Sequence, residues 1–113
     1  MIKDNTQVGL KESLNQELRR GTVVLAVLSQ LKSEHYGYSL KRSLGEKGLA
    51  IDEGTLYPLM RRLESQGLLL SEWRLEDARP RRYYRLSELG LTVFEELRSD
   101  WNGLAAIMGE ILK

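Results

Sequence analysis

Apolar positions along this chain change their period several times, and each change marks an element. Leu14, Leu18, Leu25 and Leu28 share a helical stripe, and "VVLAVL" (23–28) is apolar all round. A first helix is therefore expected from about Leu14 to Lys32, with its second half buried at the centre. Ahead of it, residues 1–13 are polar and weakly periodic and read as a frayed or loosely docked arm. Leu40 and Leu44 then sit four apart on one face, with Gly37 before them and Gly45 and Gly48 ending a short second helix.

The stretch "DEGTLYPLMRRLESQGLL" (52–69) predicts a third helix with Asp52 as N-cap and Gly67 as its left-handed terminus. Leu56, Leu59, Met60 and Leu63 fall on one face. Gly54, Pro58, Arg61 and Ser65 fall on the opposite face, with Tyr57 and Arg62 on its flanks. Pro58 removes the bond to the Gly54 carbonyl, a defect that costs roughly 3 kcal/mol inside a helix. It is tolerable on a face that is wet or covered by a partner. Beyond Gly67 the period shortens. "LLLSEWRL" and "RRYYRLS", separated by the turn-like "EDARP", read as a two-stranded hairpin that must lean on the helices. Ser87 then caps a last helix, along which Phe94, Leu97, Trp101, Leu104, Met108 and Ile111 alternate steps of three and four, as in a coiled-coil seam.

This order predicts a mainly α fold with a small β-hairpin wing. Residues 14–86 would form a winged helix-turn-helix domain and residues 87–113 a long C-terminal dimerisation helix. The outward face of the third helix suits a groove, because one side is anchored and the other is free.

Composition narrows the function classes. A chain of 113 residues, 42% hydrophobic, supports one core. It has no apolar run long enough for a membrane span and no signal-peptide pattern. The absence of cysteine fits a reducing compartment and leaves no thiolate metal site; with the single histidine, His35, it argues against a metal centre. His35 reads as a loop or cap residue. No HExxH, GxSxG or glycine-rich phosphate loop occurs, so neither an enzyme nor a bound cofactor is expected.

A net charge of +1 does not announce a nucleic-acid binder, so the electrostatic argument is local. On the third helix, Arg61 and Arg62 suit guanine edges or phosphates, and Thr55, Tyr57 and Ser65 suit phosphate oxygens. A solvated face is the bland alternative. In the hairpin, "RPRRYYR" (79–85) holds Arg79, Arg81, Arg82 and Arg85 and no acid. Alternation puts Tyr84 and Leu86 on one side and Arg81, Tyr83 and Arg85 on the other. Guanidinium groups among aromatic rings suit a phosphate backbone or a narrow minor groove, while a charged edge that blocks aggregation is the alternative. The helix and the hairpin together favour duplex DNA. The terminal seam has no later element to cover it and points to a homodimer, with Trp101 either as interface core or as a stacking surface for a flat ligand.

"LRRGTVVLAVLSQL", "YGYSLKRSL", "DEGTLYPLMRRLESQGLL" and "RRYYRLSELG" together resemble the PadR family of bacterial transcriptional regulators, over about Leu14 to Gly90. The single long last helix resembles the short subfamily, which includes a lactococcal multidrug-responsive repressor. The resemblance implies a dimeric, cytoplasmic winged-helix protein, usually a repressor released by an effector. It implies a recognition helix over 52–66 with Thr55, Tyr57, Pro58, Arg61 and Arg62 near DNA, and a wing over 76–83. It further implies a flat hydrophobic slot at the dimer centre, where Trp101 and Phe94 would meet a planar aromatic effector. The acidic residue one turn later in that relative is Ala105 here, so Asp100 would have to supply the charge. A winged helix serving only as a protein-docking platform is the other reading.

Overall fold

Val27, Leu28 and Leu31 have no exposed surface and lie within a single buried cluster. The computed structural model describes residues 5–113. They form α1 (Asn5–Gln30), β1 (His35–Tyr36), α2 (Gly37–Glu46), α3 (Glu53–Ser65), β2 (Leu69–Glu76), β3 (Arg79–Leu86) and α4 (Glu88–Ile111). The strands make an antiparallel sheet in the order β1-β3-β2. Leu40 and Leu44 of α2, Ile51 just ahead of α3, Leu56, Leu59, Met60 and Leu63 of α3, Leu69 of β2, Tyr84 and Leu86 of β3 and Phe94 of α4 complete one core.

Local chemistry sets the boundaries. The Asp52 carboxylate accepts the Thr55 N–H at 3.1 Å and the Thr55 hydroxyl at 2.9 Å, which caps α3. Gly67 ends the helix at φ +83°, in the left-handed region that glycine enters freely. The hairpin closes at the Glu76–Arg79 pair through Asp77 and Ala78, both at positive φ (50° and 63°), a two-residue turn whose twist matches the strands. Pro80 lies opposite Leu75, one step beyond the closing pair. There the ladder bonds alternate outward, so the missing N–H breaks none of them.

Ser87 fastens the start of α4 to the end of α3. Its hydroxyl accepts the Gly90 N–H at 2.9 Å and donates to the Gly67 carbonyl at 2.6 Å. Its N–H donates to the Leu68 carbonyl at 3.0 Å. At Gly90 a Cβ would stand 2.0 Å from that same Leu68 oxygen, so no side chain fits.

Four expectations change. The first helix begins at Asn5 rather than near Leu14, so residues 5–13 of the expected arm are helical, and residues 1–4 lie outside the described residues. Weak periodicity there reflects the lack of a packing partner on this chain, not the lack of a helix, and each added residue extends a helix already nucleated. Leu14 and Leu18 are accordingly exposed (63% and 75%) instead of lying in the core stripe. The hairpin gains β1, whose two residues pair with Tyr83 and Tyr84 and are too few to show a period. Phe94, read as a seam and effector residue, is 2% exposed beneath the Lys32 ammonium, 5.1 Å from the ring centroid. Where α4 still lies against α1, that ring is filled into the chain's own core and is closed to a second copy or a ligand.

The described chain spans 55 × 33 × 23 Å with a radius of gyration of 16.8 Å. A compact chain of this length would have about 13 Å. The excess comes from the first half of α1 and the second half of α4, which project beyond the core with every residue of 5–18 and 95–113 exposed. No helix is long and apolar enough to cross a membrane among the described residues.

Candidate nucleic-acid interface

With its four apolar residues buried, α3 turns Thr55, Pro58, Arg61 and Arg62 to the surface. Pro58 is exposed, so its lost bond falls on the open face, as the spacing predicted. Thr55 contributes to the cap, since its hydroxyl proton goes to Asp52. Tyr57 is half-buried, its ring resting on Gly37, where a Cβ would come within 2.7 Å of the ring. Burial first, and then the Glu53 carboxylate, push its phenol above the ordinary value. Arg61 and Arg62 diverge. Arg61 lines a cleft of about 330 Å³ toward the sheet, and Arg62 one of about 620 Å³ toward α1, which Arg19 and Arg20 also line. Among the described residues no carboxylate pairs with Arg61 or Arg62.

The wing has two different faces. Toward α3, Tyr84 and Leu86 are buried, while Arg82 reaches across to the helix. Its guanidinium pairs with Glu64 at 2.8 Å and donates to the Ser71 hydroxyl oxygen at 2.9 Å, and Ser71 donates in turn to Glu64. Two rings, Trp73 and Tyr84, lie 5.7 and 5.5 Å from it. On the other face Arg81 pairs with Glu76 at 3.3 Å and lies 4.6 Å over the Tyr36 ring. Tyr83 donates its hydroxyl to Glu76 at 2.7 Å, and that bond, with burial second, raises its phenol. Arg74 lies 4.6 Å over the Tyr83 ring and binds Glu34 at 2.6 Å and also Glu72. The bonds to Glu34 and then to Glu72 raise its guanidinium still further above the physiological range.

"RPRRYYR" contains no acid, yet Arg81 and Arg82 are both paired. Their carboxylates come from β2 and α3, which the local reading of β3 could not supply. Arg79 and Arg85 are exposed and have no carboxylate partner among the described residues. Among the described residues, Arg61 and Arg62 on α3 and Arg79 and Arg85 on the wing face turned away from α3 are thus left without a carboxylate partner.

At the other end of the molecule Leu97, Trp101, Leu104, Met108 and Ile111 are exposed on α4, with Trp101 at 42%. Asp100 is exposed beside Trp101. The projecting part of α1 adds Val8, Leu10, Leu14 and Leu18, an apolar stripe that sequence reasoning assigned to the arm or the core. The spacing of four from Leu10 to Leu18 carried that signal. His35 takes no part in either surface; its Nδ1 lies 3.0 Å from the Ser39 hydroxyl at the start of α2.

The arrangement matches known proteins. The profile of the Transcriptional regulator PadR-like family fits residues 24–96. A PadR family transcriptional regulator from Eggerthella lenta has the same fold, with a TM-score of 0.89 at 47% identity over 97% of this chain and 98% of that one. A transcriptional regulator from Clostridium thermocellum superposes with a TM-score of 0.78 at 27% identity, over 86% and 99% of the two chains. Transcriptional regulator Rv3488 of Mycobacterium tuberculosis is 38% identical over 91 residues, 80% of this chain and 85% of that protein. These relatives are regulators and not enzymes. With its core, wing and long last helix all accounted for, the chain belongs to the PadR-like family of transcriptional regulators.

Proposed function

We propose that this chain is a homodimeric, sequence-specific repressor that holds duplex DNA with α3 and the wing and lets go when a planar small molecule enters between paired α4 helices. The observation that carries the DNA-binding part is the outer face of α3, where Arg61 and Arg62 stand exposed and, among the described residues, without carboxylate partners beside a hairpin that offers Arg79. Each α3 would enter a major groove. Thr55, Tyr57 and Pro58 would lie against the adjoining backbone, Pro58 offering its ring to a sugar or a thymine methyl. Arg61 would read a base edge, and Arg62 and Arg79 would meet phosphates. Arg81, Arg82 and Tyr83, bound up in the wing's own networks, would give the hairpin its shape. Residues 14–86 act as the reading unit and residues 87–113 as the pairing unit, with two half-sites roughly 34–36 Å apart.

Pairing is supported by the uncovered stripe from Leu97 to Ile111 and by the second exposed apolar stripe on α1. Trp101, with Asp100 beside it, is the residue that would stack on an effector. Such a protein works in the bacterial cytoplasm, on the nucleoid.

The decisive experiment is selection from a random duplex pool, followed by mobility-shift titration of the recovered duplex at two salt concentrations. We expect an imperfect palindrome, affinity that falls steeply with salt, and relaxed sequence preference at one position per half-site in Arg61→Ala. Recovery of no duplex, or affinity indifferent to salt, would favour the protein-docking reading instead.

A further inference from the structure

Trp73, Leu75 and Pro80 form an exposed apolar strip on the wing, with Trp73 at 64% and Leu75 at 75% exposure, and neither phosphate contact nor core packing accounts for it. Register places all three on the sheet face that is turned toward α3, since Trp73 pairs with Arg82, Leu75 with Pro80, and the next pair inward holds the buried Tyr84. The inner half of this face is core, and the outer half lies open. Trp73 stands at the junction. Arg82, fixed by Glu64 and Ser71, lies against its ring, and the ring lines the 330 Å³ cleft together with Tyr57 and Arg61 of α3 and Tyr38 of α2.

We propose that this cleft seats the sugar–phosphate strand dividing the major groove from the neighbouring minor groove, with Trp73 packed on a deoxyribose. The proposal rests on α3 entering the major groove. A protein with a helix in one groove and a hairpin at the next must straddle the strand between them, so whatever lines the gap meets that strand. The strand presents phosphates and apolar sugar faces in alternation. The cleft presents Arg61, which has no carboxylate partner among the described residues, the hydroxyl-bearing rings of Tyr38 and Tyr57, and the open face of Trp73, which match both. Arg82 is neutralised by Glu64, so the Trp73 contact adds affinity without adding to counterion release. Position excludes a wedge between bases: Trp73 lies three residues back from Glu76, about 10 Å from the turn. It therefore belongs to the base of the hairpin, beside the strand, rather than to the tip that would enter a groove.

Hydroxyl radicals cleave DNA by attacking deoxyribose, so they test this contact directly. The probe is the duplex recovered by selection with the unaltered protein. We expect that protein to shield a short run of sugars between the α3 and wing contacts. Trp73→Ser should expose those sugars while leaving the other protected positions shielded, and should weaken binding about tenfold with the slope of log affinity against log salt unchanged. Trp73→Phe should keep the protection, and thermal unfolding should show all three proteins folded. Equal affinity and an identical footprint in Trp73→Ser would overturn the proposal. So would an even loss of protection at every contact, which marks a structural role only. Those results leave DNA binding itself standing, whereas recovery of no duplex overturns the regulator reading and this proposal together.

Discussion

Arg79 and Arg82 lie three positions apart on one strand in opposite circumstances. Arg79 is exposed with no carboxylate partner among the described residues, while Arg82 spans from β3 to α3 and shares Glu64 with Ser71. Removing each should therefore read out differently. Arg79→Ala should reduce the salt slope of DNA binding by about one ion. Arg82→Ala should change the slope less, and it should cost about 1 kcal/mol of stability, or about 4 °C in the unfolding midpoint, by leaving Glu64 with only the Ser71 hydroxyl and no cation. Salt titration and thermal unfolding of the two variants check this pair of outcomes. Composition made the two arginines look alike. Glu64 precedes Arg82 by 18 residues, and a reading of β3 alone has no access to it. At Thr55 the neighbouring Asp52 was legible as the cap, but the hydroxyl expected to meet a phosphate turns to that carboxylate.

Among the elements, α4 owes its direction to a single glycine. With Leu68 oxygen 2.0 Å from the site of an added Cβ, Gly90→Ala must push α4 away from the turn after α3, and we expect a loss of about 3 kcal/mol in denaturant unfolding. Gly45→Ala in α2 meets nothing within 4 Å and should leave stability unchanged or raise it slightly. The sequence disclosed α2, α3, the hairpin and α4 because their ends depend on neighbours a few residues away: Asp52 with Thr55, Gly67 at its own φ, Ser87 with Gly90. It hid β1, whose two residues pair with β3 nearly fifty positions later, and it hid the first turns of α1, where the spacing of four from Leu10 to Leu18 was a thin signal among polar neighbours. The clefts beside α3 stayed out of view for the same reason, because each is walled by elements distant in sequence.

For the whole molecule, the apolar stripes on α1 and α4 outweigh any single contact. If α4 pairs with a second copy, Leu104→Asp should place a charge in the covered stripe and yield a monomer at micromolar concentration, with operator affinity falling along with dimer content. Sedimentation and mobility shift measure the two quantities. A planar aromatic effector should quench Trp101 and weaken operator binding, and the quenching should vanish in Trp101→Phe while the emission of Trp73 remains. Quenching that survives in Trp101→Phe would remove Trp101 from the effector site. Phe94 shows the limit of reading such a seam from periodicity. It keeps the same phase as Leu97 and Trp101, but periodicity cannot say which body covers each turn, and Phe94 is buried in the core of its own chain beneath Lys32. The bolt that Ser87 and Gly90 form with Gly67 and Leu68 has a mechanical consequence. At 1.5 Å per residue α4 is a lever about 36 Å long. Fixed there, a lever shifted sideways by about 3 Å at its free tip would swing the tail end of α3 through about 5°, so if two copies cross along α4, small adjustments at the crossing would retune the spacing of the reading heads.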